Sequence, residues 1–475
     1  MKRWLFLLHR WLGLGGALLM VLWFGSGFVM MYVPYPALTD AERLASLPPL
    51  RAQQLALAPP QLALQAPQRL RLLQPDDRPL YALWQRERGW WAVDATQGGP
   101  VQVDAAMARR SAQRFAGSAA VDVALIERDQ WSLSSALDDH RPLFAVDMAD
   151  GGRHYVSSRT GEVVLDTTRA ERAWNWVGAV VHWVYPSALR SQPRLWHWVV
   201  VVLSGYTLLT ALLGTVIGLL RWKRYANGRR SPYRGWMRWH HLLGLAGAVF
   251  VLAWLLSGLL SMNPGGVFPS RAPPSDWLSA WRDASGMQPT LPPEATGAKE
   301  LEWIADGGGT LAWVRHTDQH ATLWRGGHLQ PVDEHFVRDR VRRLRLGEPV
   351  AVQRLTARDL HYHARTARRP LPVWRVQFSD GRWLHVDGQN GQPFARLDTR
   401  SRVARWLYHG LHSWDFEPLL QRRPLWDVLM LAALALGTAL SVTSVVIAWQ
   451  RLRPRRTATA PAPLQGRLFS LSPRP

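Results

Sequence analysis

The chain has no cysteine among its 475 residues. That excludes disulfides, iron–sulfur clusters, thiolate zinc sites and haem attached through C-x-x-C-H. A redox centre, if there is one, must be held by His, Met or a carboxylate, or be a flavin. Charge is missing as well, in four long blocks. Trp11 to Thr39 and Leu242 to Ser270 carry no Asp, Glu, Lys or Arg, Leu195 to Leu220 has His197 as its one histidine, and Val428 to Gln450 is bounded by Asp427 and Arg451. About 20 mainly apolar residues cross a bilayer, so the chain reads as a four-span membrane protein. Its mean hydropathy of −0.14 averages these blocks against Arg-rich ones.

Acid is absent from residues 221–238, which hold Arg221, Lys223, Arg224, Arg229, Arg230, Arg234 and Arg238. The tail after the fourth block opens Arg451-Leu-Arg-Pro-Arg-Arg456, and the chain begins Met1-Lys-Arg. Short basic flanks stay in the cytoplasm, which gives an N-in, C-in topology with two large outer segments. The net charge of +22 is then partly topology, and no nucleic-acid partner is needed to explain it. The first block is too long for a signal peptide and lacks a small-x-small cleavage site before Pro34, so it reads as a retained anchor.

What is present is a duplication. His9-Arg-Trp-Leu-Gly-Leu-Gly-Gly-Ala, Trp23 and Ser26-Gly27 recur 231 positions later as His240-His-Leu-Leu-Gly-Leu-Ala-Gly-Ala, Trp254 and Ser257-Gly258. Further on the offset is 230: Asp150-Gly151 maps to Asp380-Gly381, Gly161 to Gly391, His182 to His412, and Leu195-Trp196 to Leu425-Trp426. Both copies begin and end inside, so the repeat is parallel, with a pseudo-twofold axis along the membrane normal. The fold class expected is an all-α four-helix transmembrane module built from two parallel repeats, plus two periplasmic α+β domains. The boundaries are 1–33 (first span), 34–170 (first outer domain), 171–222 (interfacial helix and second span), 223–238 (basic cytoplasmic loop), 239–262 (third span), 263–400 (second outer domain), 401–451 (interfacial helix and fourth span) and 452–475 (disordered tail).

In the first outer domain Leu80 to Trp84 and Gly89 to Val93 read as a hairpin, Ala105 to Phe115 as a helix, and Val121–Ile126, Pro142–Met148 and His154–Ser157 as strands. In the second, Thr310–Arg315, a helix near 333–345, Val373–Phe378 and Trp383–Val386 repeat the pattern. Pro-rich Leu47–Pro60 and Pro269–Pro293 read as linkers.

Ionisable residues at membrane depth are costly and read first as functional. His9 and His240 lie near the cytoplasmic ends of spans one and three, each followed by a small-residue stripe that suits helix packing or the edge of a flat cofactor. His182, in Trp174-Asn-Trp-Val-Gly-Ala-Val-Val-His-Trp-Val-Tyr-Pro186, and His412, in Trp406-Leu-Tyr-His-Gly-Leu-His-Ser-Trp414, lie near the outer face. His409 shares a helix face with His412, His241 adjoins His240, and His197 is unmatched in the other copy. Imidazole suits Fe, Cu, Zn and Ni; pairs from different helices point to six-coordinate b-type haem, two per chain. Metal transport would need carboxylates along the spans, and they have essentially none. Gly13-x-Gly15-Gly16 lacks the context of a dinucleotide fold, and H-E-x-x-H is absent. His361-x-His363 and the five Arg within Arg338–Arg345 read as solvated faces.

These residues resemble the PepSY-associated transmembrane-helix family, often called iron-regulated membrane proteins. The resemblance covers about residues 1–455, on His9-Arg-Trp-Leu-Gly-Leu, His182-Trp-Val-Tyr-Pro with Arg190, Trp239-His-His-Leu-Leu-Gly-Leu with Ser257-Gly258, and Leu407-Tyr-His-Gly-Leu-His-Ser-Trp-Asp-Phe with Arg423-Pro-Leu-Trp426. It implies a Gram-negative inner-membrane protein with PepSY-like outer domains, in some members a haem-containing ferric-siderophore reductase. His9 with His240 or His241 would hold an inner haem, and His182 with His412 or His409 an outer one. The acceptor would be a ferric siderophore or other ferric chelate in the periplasm; the donor, quinol or a cytoplasmic protein, stays open. The rival readings are a cofactor-free PepSY binding module that regulates a periplasmic partner, and a metal or siderophore permease.

Overall fold

The computed structural model describes residues 2–453 apart from 52–54, 56–61, 63–66, 283–286, 308 and 363–368. The tail expected at 452–475 and His363 therefore lie wholly or largely outside the described residues, as does most of the Pro-rich stretch Leu47–Pro60.

Four helices are long and apolar enough to cross a membrane: Lys2–Tyr32, Pro193–Arg221, Gly235–Ser261 and Arg423–Leu452. They form one bundle, in which the first packs on the second and fourth, and the third likewise on the second and fourth. The first and third are thus diagonal partners. Large apolar side chains stand bare on the outside, Leu18 at 63 % exposure and Val249 at 80 % among them, as lipid-facing positions should. Exposed Trp4, Trp11, Trp222, Trp236, Trp239 and Trp449 gather at one end, with Trp174, Trp176 and Trp198 at the other. Such belts suit the headgroup layer. The chain is a membrane protein.

Between the spans lie fifteen strands among the described residues. The first segment carries β1 (Arg69–Leu73), β2 (Leu80–Gln85), β3 (Gly89–Asp94), β4 (Ala120–Ile126), β5 (Leu143–Met148), β6 (Arg153–Ser157) and β7 (Val163–Thr167). The second carries β8 (Glu300–Ala305), β9 (Thr310–Arg315), β10 (Ala321–Arg325), β11 (His328–Leu329), β12 (Ala351–Leu355), β13 (Val373–Gln377), β14 (Trp383–Asp387) and β15 (Pro393–Leu397). They make two antiparallel four-stranded sheets, β4-β5-β6-β7 and β12-β13-β14-β15, and one seven-stranded sheet in the order β11-β10-β9-β8-β1-β2-β3.

The helices against the small sheets are set by their caps. Asp104 accepts from the Met107 N–H to start Ala105–Ala116, and Asp333 accepts from the Phe336 N–H to start Glu334–Arg343. Each helix then presses a side chain, Met107 or Phe336, onto a glycine in a left-handed turn, Gly161 (φ 71°) or Gly391 (φ 68°), where a Cβ would collide with it. Arg340, within the stretch read as a solvated face, is instead 2 % exposed and ion-paired with Asp306. The stretch 269–293, read as linker, holds the helix Ser275–Arg282, whose Trp277 and Trp281 are buried.

The seven-stranded sheet joins the two segments that lie between the spans. β1 pairs antiparallel with β8, with Leu70 opposite Trp303, Arg71 opposite Glu302 and Leu72 opposite Leu301. Leu70, Leu72, Tyr81, Leu83, Leu301, Trp303 and Val314 form one core across that join. Charges are buried beside it. Glu300 meets Arg71 at 2.5 Å, Arg43 at 2.6 Å and Arg315 at 3.5 Å, and Glu162 meets Arg71 at 2.9 Å.

Candidate functional site

Across the diagonal of the bundle the rings of His9 and His240 lie with centroids 6.3 Å apart, tilted by 35°. At the opposite end of the bundle, the end that carries the sheets and is here called outer, the rings of His182 and His412 lie 6.0 Å apart at 78°. Each partner is the other's equivalent in the duplication. Two imidazoles bonded through nitrogen at about 2.0–2.1 Å to one ion between them have ring centres roughly 6 Å apart. Both pairs match that spacing.

The hydrogen bonds decide which nitrogen carries the proton. His9 Nδ1 lies 3.0 Å from the Thr210 carbonyl, which can only accept, so Nδ1 carries the proton. Ser26 donates its hydroxyl proton to the Trp23 carbonyl at 3.0 Å, leaving Oγ to accept from His182 Nδ1 at 3.0 Å. The other half repeats this: Ser257 donates to the Trp254 carbonyl at 3.0 Å and accepts from His412 Nδ1 at 3.0 Å. Thr443 donates to the Leu440 carbonyl and accepts from His240 Nδ1 at 3.1 Å. In all four rings the proton is held on Nδ1, which puts the lone pair on Nε2. That is the tautomer and support a metal-binding histidine receives from its surroundings.

Local folding brings the outer pair to this place. His182 ends the short helix Ala179–His182, and His412 lies in Leu411–Ser413. Two residues after each, Val184 (φ 51°) and Trp414 (φ 48°) turn left-handed, an unusual and strained backbone for non-glycine residues. Trp196 at the start of the second span donates to the Trp183 carbonyl at 3.1 Å, and Trp426 of the fourth does the same to Ser413 at 3.1 Å. At the inner pair, Gly214 lets the second span approach the His9 ring, where a Cβ would lie 2.6 Å from Cε1.

The remaining candidates are placed differently. His241 is buried with both nitrogens engaged, Nδ1 with Ser231 at 2.8 Å and Nε2 with the Gly218 carbonyl at 2.9 Å. His409 packs on Tyr408, their rings 4.8 Å apart, and the same Tyr408 ring stacks on His412 at 5.4 Å; among the described residues no ring contact joins His409 to His182. His197 lies against Trp198 at 5.4 Å. His361 sits in a turn, its backbone N–H donating to Asp359 at 2.9 Å. The small residues Gly15 and Gly16 receive the ring of Tyr206, whose hydroxyl donates to the Leu12 carbonyl at 2.5 Å, so that groove is filled by helix packing.

Sequence reading missed the hydroxyls. Ser26 and Ser257 were visible as a repeated Ser-Gly pair, yet nothing in the spacing joined them to histidines about 155 positions away. The indoles of Trp23 and Trp254, one turn from those serines, were visible as a repeat but not as donors; their N–H groups are buried with no partner among the described residues. Two orphan donors beside the outer pair are what a buried acceptor-bearing group would satisfy. Among the described residues no group of three or more His, Asp or Glu is arranged to hold a metal, so each site offers a pair of imidazoles. The donor set fits a bis-imidazole haem.

Among known families, the PepSY-associated TM region matches residues 6–451, nearly the whole length, and the chain belongs to that family. No curated protein matches it.

Proposed function

With membership of that family as premise, we propose that the chain is an inner-membrane b-type haem protein that passes electrons across the membrane to a periplasmic ferric chelate, such as a ferric siderophore. His9 and His240 hold the inner haem and His182 and His412 the outer one. The observation that carries this is the four-fold recurrence of one support: Nδ1 pinned by a hydroxyl or carbonyl, in two ring pairs about 6 Å apart. Haem held by these histidines would supply one-electron transfer. The chain's own part is to fix the tautomers, hold the rings at a set spacing and keep water out of the bundle. No side chain performs acid–base chemistry.

The two-repeat architecture is supported by three self-equivalent pairings. His9 meets His240, His182 meets His412, and Arg71 stands opposite Glu302, its own equivalent at an offset of 231. A strand paired antiparallel with its own copy, centred on one residue pair, is what a twofold axis produces. The basic flanks support N-in, C-in topology and periplasmic sheets.

A cofactor-free binding module is the second reading. It is favoured by a polar cleft of about 600 Å³ at the join of the two outer segments, lined by Arg43, Arg69, Arg282, Glu302 and Asp387 among others. A dithionite-reduced minus oxidised spectrum of the purified chain, with haem quantified, separates the two. About two haems per chain is the expected result; a colourless protein expressed with haem supplied leaves the binding module.

The serines give a finer expectation. Ser26→Ala and Ser257→Ala each remove the acceptor for one Nδ1 proton, and loss of such a support costs typically 10–100-fold in ligand affinity. Haem retention at the outer site during dilution should weaken by about that factor, with the inner site unaffected. Equal retention in parent and variants would deny the serines their orienting role.

A further inference from the structure

The cleft of about 600 Å³ takes its lining from both segments between the spans. Part of that lining is one face of the seven-stranded sheet. Arg71 of β1, Glu302 of β8 and Trp313 of β9 stand in one row across the strands, and Glu300 and Arg315 pair two residues away, on the same face. The helix Asp40–Ser46 adds Arg43 from the first segment, and the turn Asp387–Gln392 adds a wall from the second. A volume of this size holds a small organic molecule.

The acids of the lining already have partners. Glu302 takes Arg69 at 2.9 Å, Glu162 takes Arg71 at 2.9 Å, Glu300 takes Arg43 and Arg71 at 2.6 and 2.5 Å, and Asp40 takes Arg315 at 3.0 Å. What is left over is donors. Nε of Arg315, Nε1 of Trp313 and Nη1 of Arg43, the last 3.7 Å from Glu162, are buried with no hydrogen-bond partner among the described residues. Arg315 is 5 % exposed and lies over the Trp313 ring at 4.2 Å, so two of these donors are neighbours. Buried N–H groups are nearly always paired, and an unpaired one calls for an acceptor. No acceptor of this lining is stranded in the same way among the described residues. Asp387 accepts the Gln389 N–H at 2.8 Å, and burial, the largest influence on it, raises its carboxyl. Guanidiniums keep their charge. The lining therefore leans towards donation and positive charge, and guanidinium edges match a carboxylate in shape and charge.

We propose that the cleft is a binding site for a small soluble carboxylate, held by the stranded donors of Arg315, Trp313 and Arg43. Arg43 belongs to the first segment and the other two to the second, so an occupant ties the segments together beside the β1–β8 join. The site rests on the cleft of the binding-module reading and uses neither histidine pair. It is therefore open to test in a red protein and a colourless one alike, and its failure leaves the haem reading untouched.

The test titrates citrate calorimetrically into the full-length chain in detergent and into Trp313→Phe and Arg315→Lys. Trp313→Phe keeps an aromatic ring beneath Arg315 and removes one N–H. Arg315→Lys keeps the charge beside Asp40 and Glu300 and removes Nε. Each should weaken citrate about tenfold, as the loss of one hydrogen bond to a charged group does, with the thermal unfolding of the free protein unchanged. A net charge of +22 attracts any anion, so location matters as much as affinity. Citrate should slow amide exchange in Thr310–Arg315 and Asp40–Ser46 and leave the basic stretch 221–238 as it was. Absence of binding, binding that ignores both variants, or protection confined to 221–238 overturns the proposal. So does protection of the cleft by trehalose with citrate inert, which would assign it to uncharged hydroxyl ligands. Trp313→Phe alone decides if Arg315→Lys does not fold.

Discussion

Replacing His412 with alanine is expected to remove one haem of two and leave the other in place. The physical reason is the pairing. His412 faces His182 at 6.0 Å between ring centres. His409, three residues earlier, packs on Tyr408, whose ring also stacks on His412; His409→Ala is therefore the companion variant, and haem content should hold in it. In His412→Ala haem per chain should fall from about two towards one, and the outer component of the reduced-minus-oxidised spectrum should vanish. His9→Ala should remove the complementary component. His241→Ala serves as contrast: both of its nitrogens are already bonded, so haem content should hold. Full haem content in His412→Ala would end the assignment of the outer pair.

The second large effect concerns the join between the halves. Glu300 is 1 % exposed and carries ion pairs to Arg43, Arg71 and Arg315. Removing one member of a buried pair leaves uncompensated charge and costs about 3–5 kcal/mol. Glu300→Ala should therefore loosen β1 against β8, read as faster amide exchange in both strands at neutral pH. Acid acts through the same groups. Burial alone would raise the carboxyls of Glu162 and Glu300, but the guanidiniums of Arg71 and Arg43, with Arg315 at Glu300, outweigh it. Glu162 is brought from 4.5 to about 2, and Glu300 also lies well below the usual carboxylate range. For groups lowered in the folded state the stabilisation is complete above the unfolded value. It is lost as pH falls from about 4.5 towards 2. Exchange in β1 and β8 that ignores both the substitution and this pH window would show that the ion cluster contributes little to the join.

How much of this was legible in the sequence varies with the range of the interaction. The four long helices follow from missing charge, a signal local to each block. The helices near 105 and 334 and the hairpin β2–β3 follow from spacing and caps, again local. The β1–β8 join does not, because β1 is a short run interrupted by arginines, Arg69 and Arg71, whose neutralising partners are about 90 and 230 positions away. Arginine in a strand reads as solvent-facing until those glutamates are seen. At the candidate site the histidines were legible because they are duplicated. The choice between neighbours was not. His240 and His241 differ only in which helix face they occupy, and the structure distinguishes them by giving His241 two internal partners. His409 and His412 are separated by a widened turn that a 3.6-residue period does not anticipate.

Carriers that work by alternating access rock one half against the other around a central site. A ladder of main-chain hydrogen bonds running from β11 through to β3 across both halves resists such rocking, because tilting either half would tear β1 from β8 and strand charges in the gap. The outer sheet acts as a brace. It suits a molecule whose task needs a constant separation between two points in the bundle, as a wire does, and is ill suited to one that must open and close like a gate.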